Sequence, residues 1–215
     1  MTKEQILENF DPSQPGLSDA TIFGLPFSAE QSEIIVIPVP WEVTVSYGAG
    51  ASKGPEAVLN ASFQIDLKHQ EFPELWKLGI YLDKAPSELR KKSKKFKKQA
   101  APIIKALESG LILDHHPSLA KDLEEINNAC SDMVETVREQ TLNWMHKGKK
   151  VVLLGCDHST PLGYYQALAT KYDNFGILHL DAHMDLRIAY EGFTYSHASI
   201  MYNALQIPQI SKIVQ

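Results

Sequence analysis

Residues 175–185 read FGILHLDAHMD. Phe175, Ile177, Leu178 and Leu180 predict a short buried β-strand that runs straight into Asp181-Ala182-His183-Met184-Asp185. Side chains of an extended chain alternate between faces. That alternation puts Asp181, His183 and Asp185 on one side and Ala182 and Met184 on the other. Three metal-competent groups leaving an apolar strand on one face make half of a metal site. An earlier apolar run, Val151 to Leu154, ends in Gly155-Cys156-Asp157-His158-Ser159 and offers the other half.

The segment between the two runs, Pro161 to Lys171, predicts a helix. The order is therefore strand, helix, strand, which favours a parallel sheet covered by helices. Ligands of such sheets bind beyond the carboxyl ends of the strands, where both clusters lie. Residues 118–147 carry the clearest helical period: Leu119, Leu123, Ile126, Cys130, Met133, Val137 and Met145, with Ser118 as N-cap and Gly148 just past the end. Glu33 to Val39 reads as a first strand, and its continuous apolar run suits burial on both faces. Leu78 to Leu82 reads as another short strand.

Residues 1–30 are expected to form an irregular N-terminal arm, and residues 31–215 one α/β domain. The stretch 44–62, TVSYGAGASKGPEAVLNAS, predicts a glycine-rich loop entering a helix at Pro55 and Glu56, with Ala57, Val58, Ala61 and Ile65 as its apolar stripe. A phosphate cradle is the alternative reading, and the glycine spacing speaks against it because it matches neither a P-loop nor a dinucleotide fingerprint. Residues 87–110 bunch Arg90, Lys91, Lys92, Lys94, Lys95, Lys97 and Lys98. With Leu89, Phe96, Ile103, Ile104 and Leu107 as a core stripe, this run reads as the solvated face of a helix. Asp114-His115-His116 reads as a polar loop before the next helix.

Composition sets the broad class. The 215 residues are 44% hydrophobic and 22% charged, an ordinary globular balance. A net charge of −5 argues against a nucleic-acid partner. The two cysteines, Cys130 and Cys156, form neither a CxxC pair nor a disulfide framework, so a reducing compartment is the default. No apolar run reaches the roughly 20 residues that span a bilayer, and residues 1–16 lack the apolar centre of a signal peptide. These features predict a cytoplasmic protein with no membrane partner.

Carboxylate and imidazole groups without thiolate disfavour a structural zinc and suit manganese-type ions. The bland alternative has Asp157 or Ser159 capping the next helix and Asp185 pairing with Arg187. At this point the motifs resemble those of the ureohydrolases, the arginase, agmatinase and formimidoylglutamase family. Gly155-Cys156-Asp157-His158-Ser159 is similar to the family's G-G-D-H-S, and Asp181-Ala182-His183-Met184-Asp185 to its D-A-H-x-D. Ser196-His197-Ala198-Ser199 is similar to its S-H-G-[TS], and the glycine-rich loop to its G-P-x-A-[IV] region.

The resemblance implies a three-layer α/β/α, arginase-like fold with a mostly parallel sheet. It implies that His158 and Asp185 bind one metal, that His183 binds the other, and that Asp181 reaches both. His197 would be the catalytic histidine, moving a proton near neutral pH. Two Mn2+ ions are expected, with Ni2+ possible, lowering the pKa of a shared water for attack on a guanidinium carbon. An agmatinase-like release of urea and an amine from a small guanidino substrate is the first choice. Arginine, guanidinobutyrate, guanidine and formimidoylglutamate stay open, and a homo-oligomer, trimer or hexamer, is implied. Two further readings are a non-catalytic remnant that acts as a binding protein and a deacetylase-like amidohydrolase with one zinc.

Cys156 and Ala198 stand where the family has glycine, which bears on the shape of the substrate pocket. Nothing matches the family's later S-x-D-x-D-x-x-D-P motif, and Ile210 to Gln215 reads as a strand being entered. The expectation is an N-terminal portion of a ureohydrolase with two carboxylate ligands lacking, weak metal binding, and little or no activity in this chain.

Overall fold

The computed structural model describes residues 1–16 and 21–215. Its order is α1 (Lys3–Asn9), β1 (Ile34–Pro38), α2 (Gly54–Ser62), β2 (Ile80–Leu82), α3 (Ser87–Glu108), α4 (Pro117–His146), β3 (Lys150–Leu154), α5 (Leu162–Lys171), β4 (Phe175–Leu178), α6 (Ile200–Ala204) and β5 (Ile210–Val214). This is the three-layer α/β/α class with parallel strands. The strands divide into two groups, β2-β1-β3 and β4-β5, and every strand pairing within them is parallel.

The core forms where the periodic segments meet. β1 contributes Ile35 and Ile37, α3 contributes Leu89, Phe96, Ile103 and Ile104, and α4 contributes Ile126, Cys130, Met133 and Val137. Each of these was marked by a run or a helical stripe, because burying those faces is the main favourable term in folding. Arg90, Lys91, Lys94, Lys95 and Lys98 of α3 are exposed, as a solvated face requires, whereas Lys92 and Lys97 are half-buried.

Local details depart from expectation where the tertiary structure supplies the partner. The lead-in is not wholly irregular. Thr2 and Gln5 form a capping box on α1, and Ile6 packs with Leu25, Phe27 and Trp76. Residues 17–20 of that lead-in lie outside the described residues. The helix α4 begins at Pro117 with His116 at the N-cap, rather than at Ser118, because proline suits a first helical position. Its end is as expected, with Gly148 at φ 74°. The stripe assigned to α2 stays outside: Ala57 and Val58 are exposed, and the helix buries Pro55 and Ser62 instead. The strand at Phe175 is shorter than expected and is not buried throughout. It ends at Leu178, and Leu178 and Leu180 are 71% and 86% exposed. Among the described residues nothing packs over that side of β4.

The helix α5 joins β3 to β4 and lies against α4. The two backbones meet at Gly163, where a Cβ would sit 2.1 Å from Val134 O and 2.8 Å from Arg138 N. Backbone atoms of a packed helix cannot retreat as a side chain can, so only glycine permits this approach. Gly163→Ala is therefore expected to destabilise the fold by about 2–3 kcal/mol through overpacking. A fall in the urea midpoint with an unchanged slope would register it.

Candidate metal centre

Two strand ends build the site. After β3, Gly155 to Thr160 form a turn held by Asp157, whose Oδ1 accepts from the Ser159 N–H at 2.9 Å and from the Ser159 hydroxyl. Asp157 does not cap α5, whose N-cap is Pro161 without a side-chain cap; its bonds to Ser159 instead close the turn that presents His158. Burial pushes the Asp157 carboxyl above its ordinary range, and its Oδ2 has no hydrogen-bond partner among the described residues. Burial also pushes the Cys156 thiol up to about 11, so it is a neutral neighbour rather than a thiolate.

After β4 the chain stops being extended. Asp181 Oδ1 accepts from the His183 N–H at 2.9 Å, and Asp185 adopts a left-handed φ of 52°. Asp181 and Asp185 therefore reach the same place by a turn, not by strand alternation. Asp tolerates the left-handed region better than most residues. The Asp185 carbonyl accepts from the N–H groups of Met201 at 3.0 Å and Tyr202 at 3.3 Å, and Arg187 N–H donates to Ala198 O at 3.0 Å. These bonds tie the loop to the start of α6.

One oxygen or nitrogen from each of His158, His179, Asp181 and Asp185 lies within 4.8 Å of the others. His158 Nδ1 donates to Asp185 Oδ2 at 2.7 Å and lies 3.5 Å from Asp181 Oδ2. His179 was not singled out in the sequence. It is 6% exposed, and its Nε2 faces Asp181 Oδ2 at 3.5 Å without a hydrogen-bond partner among the described residues. Its Nδ1 is 2.8 Å from the Gln215 amide nitrogen, which also donates to Met184 O at 2.7 Å. His183 stands apart from the cluster. Its side chain is 83% exposed, with Nδ1 3.6 Å from Asp181 Oδ1. The turn that assembles the two aspartates swings His183 outward.

The donor set fits a divalent cation. Ligands on opposite sides of one ion with bonds of about 2.1 Å are about 4.2 Å apart, close to the span of these four groups. The Nε2 of buried His179 has no hydrogen-bond partner among the described residues and is a further imidazole nitrogen turned toward the cluster. The His183 N–H bond, opposed by slight burial and assisted by His158, keeps the Asp181 carboxyl below its ordinary range and so ionised.

Asp185 also opens onto a cleft of about 620 Å³, walled by Met184, Arg187, Tyr190, His197 and Ala198. His197 stands edge-on to Tyr190 with ring centroids 5.8 Å apart, and its Nδ1 is buried without a partner among the described residues. The Arg187 guanidinium lies 5.2 Å from the Tyr190 ring centroid. Arg187 thus stacks on Tyr190 rather than pairing with Asp185.

A sequence model of the Arginase family matches residues 32–215. The chain belongs to the arginase family. It is 33% identical over 176 residues to an N(1)-aminopropylagmatine ureohydrolase of Thermus thermophilus, covering 82% of this chain and 48% of that protein. It is 26% identical over 172 residues to an agmatinase of Bacillus anthracis, covering 80% and 47%. The chain spans about half the length of these curated relatives. The fold is shared with an agmatine ureohydrolase of Thermoplasma volcanium, at TM-score 0.59 and 20% identity over 99% of this chain and 58% of that one. It is also shared with a proclavaminate amidino hydrolase of Streptomyces clavuligerus, at TM-score 0.61 and 19% identity over 92% and 55%.

The glycine-rich loop of this family member has an anchor that sequence reading missed. Glu42 is buried, and its carboxylate accepts from the N–H groups of Gly50 at 2.8 Å and Ser52 at 2.9 Å and pairs with Lys97 of α3. Burial opposes the charge, yet Lys97 and the two N–H groups hold the Glu42 pKa at about 2, below its ordinary 4.5. A pKa depressed on folding contributes stability that is complete above about pH 4.5 and is lost as pH falls toward 2. Glu42→Gln is expected to cost on the order of 2 kcal/mol at neutral pH. The deficit relative to the parent should shrink as denaturation is repeated from pH 5 down to pH 2.

Proposed function

We propose that the complete protein is a metal-dependent hydrolase of guanidino C–N bonds, agmatinase-like, releasing urea and an amine. The observation that carries the reading is the convergence of His158, Asp181 and Asp185 from two strand ends at the head of a cleft whose wall holds His197. A linear amidine with an amine at its far end is the proposed substrate, in keeping with the relatives' names, agmatinase and N(1)-aminopropylagmatine ureohydrolase.

His158, His179, Asp181 and Asp185 would hold the metal on this reading, with His183 brought in for a second ion. Mn2+ is the proposed metal, with Ni2+ as alternative; when bound it supplies an acidified water near neutral pH. The remaining work belongs to this chain. Asp181 and Asp185 would answer the charge of the cation at the head of the cleft, onto which Asp185 opens. Tyr190 offers an aromatic face along the wall. As the guanidinium carbon becomes tetrahedral, the departing nitrogen needs a proton to leave as an amine. On this reading His197 would give it and recover one from the incoming water, which balances the reaction. The reading extends to a cytoplasmic homo-oligomer, trimeric or hexameric. No helix among the described residues is long and apolar enough to cross a membrane.

Elemental analysis and urea release from agmatine on the full-length protein test this. Asp181→Asn should weaken manganese retention at least about tenfold. His197→Ala should keep the metal and lose about 10²–10⁴ in turnover. Retention of full metal and rate by Asp181→Asn would overturn the reading.

A further inference from the structure

His179 belongs to none of the sequence motifs, yet its side chain is buried and its ring lies against that of His158, with centroids 4.9 Å apart. What it does at the centre depends on which ring nitrogen carries the proton. A neutral imidazole has one N–H and one lone pair, and the partners decide which nitrogen has which.

The deciding partner is the Gln215 amide. Its nitrogen lies 2.7 Å from Met184 O and 2.8 Å from His179 Nδ1. A backbone carbonyl oxygen only accepts, so the network assigns the amide NH2, not the amide oxygen, to the side facing Met184 O. The second hydrogen of that NH2 points at His179 Nδ1, which therefore accepts. The ring proton is then on Nε2. A proton on Nδ1 would set two donors against each other, and turning the amide over would set two oxygens against each other at Met184. Either arrangement forfeits a hydrogen bond.

Nε2 is aimed at Asp181 Oδ2, 3.5 Å away. That oxygen also faces His158 Nδ1 at 3.5 Å, while Asp181 Oδ1 is held by the His183 N–H at 2.9 Å. A nitrogen that carries a proton has no lone pair to give a cation, but its N–H can orient a carboxylate that does. We propose that His179 is a positioning residue of the metal centre: locked by Gln215 as the Nε2–H tautomer, it holds the ion at one remove, by aiming Asp181 at it. The proposal rests on the metal reading of the cluster and gives His179 a part distinct from those of His158, Asp181 and Asp185. The 3.5 Å separation is long for a hydrogen bond, and it shortens when a cation fixes the carboxylate. The same amide joins His179 to Met184, so one side chain ties the end of β4 to the turn that carries Asp185.

Long-range proton–nitrogen NMR on the labelled 215-residue chain reads the tautomer directly, first without metal and then with zinc. Zinc is diamagnetic and takes imidazole and carboxylate ligands. The expected result is a proton on His179 Nε2 in both states, moved downfield by zinc, while a ring nitrogen of His158 takes on the shift of a metal-bound one. In calorimetry, His179→Ala should weaken zinc binding about 10–100-fold. His179→Gln, which keeps an N–H donor at similar reach, should recover most of that loss. His179→Leu, which fills the space without a donor, should not. A proton on Nδ1, loss of the Nε2 proton when zinc binds, or equal zinc affinity in the leucine and glutamine variants would overturn the proposal and leave the metal reading intact. Zinc that disturbs none of His158, Asp181 and Asp185 would overturn the metal reading, and the proposal with it.

Discussion

The contact of α5 with α4 at Gly163 is the constraint on which the site depends. It leaves no room for a Cβ between the helix backbones, so the axis of α5 is set by the core rather than by a loop. The turn carrying His158 leads into α5, and β4 follows it. Fixing α5 therefore fixes the distance between the two strand ends. Their 2.7 Å hydrogen bond between His158 and Asp185 is the result. A rigid helix between two ligand-bearing turns is what keeps a metal-type constellation in place.

Around that frame, charge is managed at different depths. Glu42 is buried and fully answered by Lys97 and two backbone N–H groups, so it organises the glycine-rich loop. Asp157 is buried and only half answered, yet its satisfied oxygen shapes the turn before α5. Asp181 and Asp185 lie nearer the cleft, where carboxylates can meet a cation. The chain thus uses Glu42 and Asp157 for architecture and brings Asp181 and Asp185 together with histidines at the site, as expected from the cost of burying charge without a partner.

The membership in the arginase family gives this arrangement its chemical context, and the details differ from a literal transfer of motif positions. The family-like motif would use His183, whereas the turn at Asp181 and Asp185 leaves His183 in solvent and puts His179 beside the aspartates. The same turn brings the cleft with His197 and Tyr190 against Asp185. A histidine two residues before the first aspartate was visible in the sequence as His179, but nothing local marked it, because a buried strand position is ordinarily a packing position.

The sequence by itself determined the elements with strong periods: α3 and α4 from their apolar stripes, β1 from its continuous run, and the strand-helix-strand order that puts two Asp-His clusters at one end. Those follow from local burial patterns, which a chain carries whatever surrounds it. Only the tertiary structure decided which members of the clusters meet. Asp185 enters through a left-handed backbone turn, His179 through a position at the end of β4, and Glu42 through partners 8 to 55 residues away. Such contacts depend on side chains brought together from distant segments. Neither the period nor the spacing of any one segment encodes them.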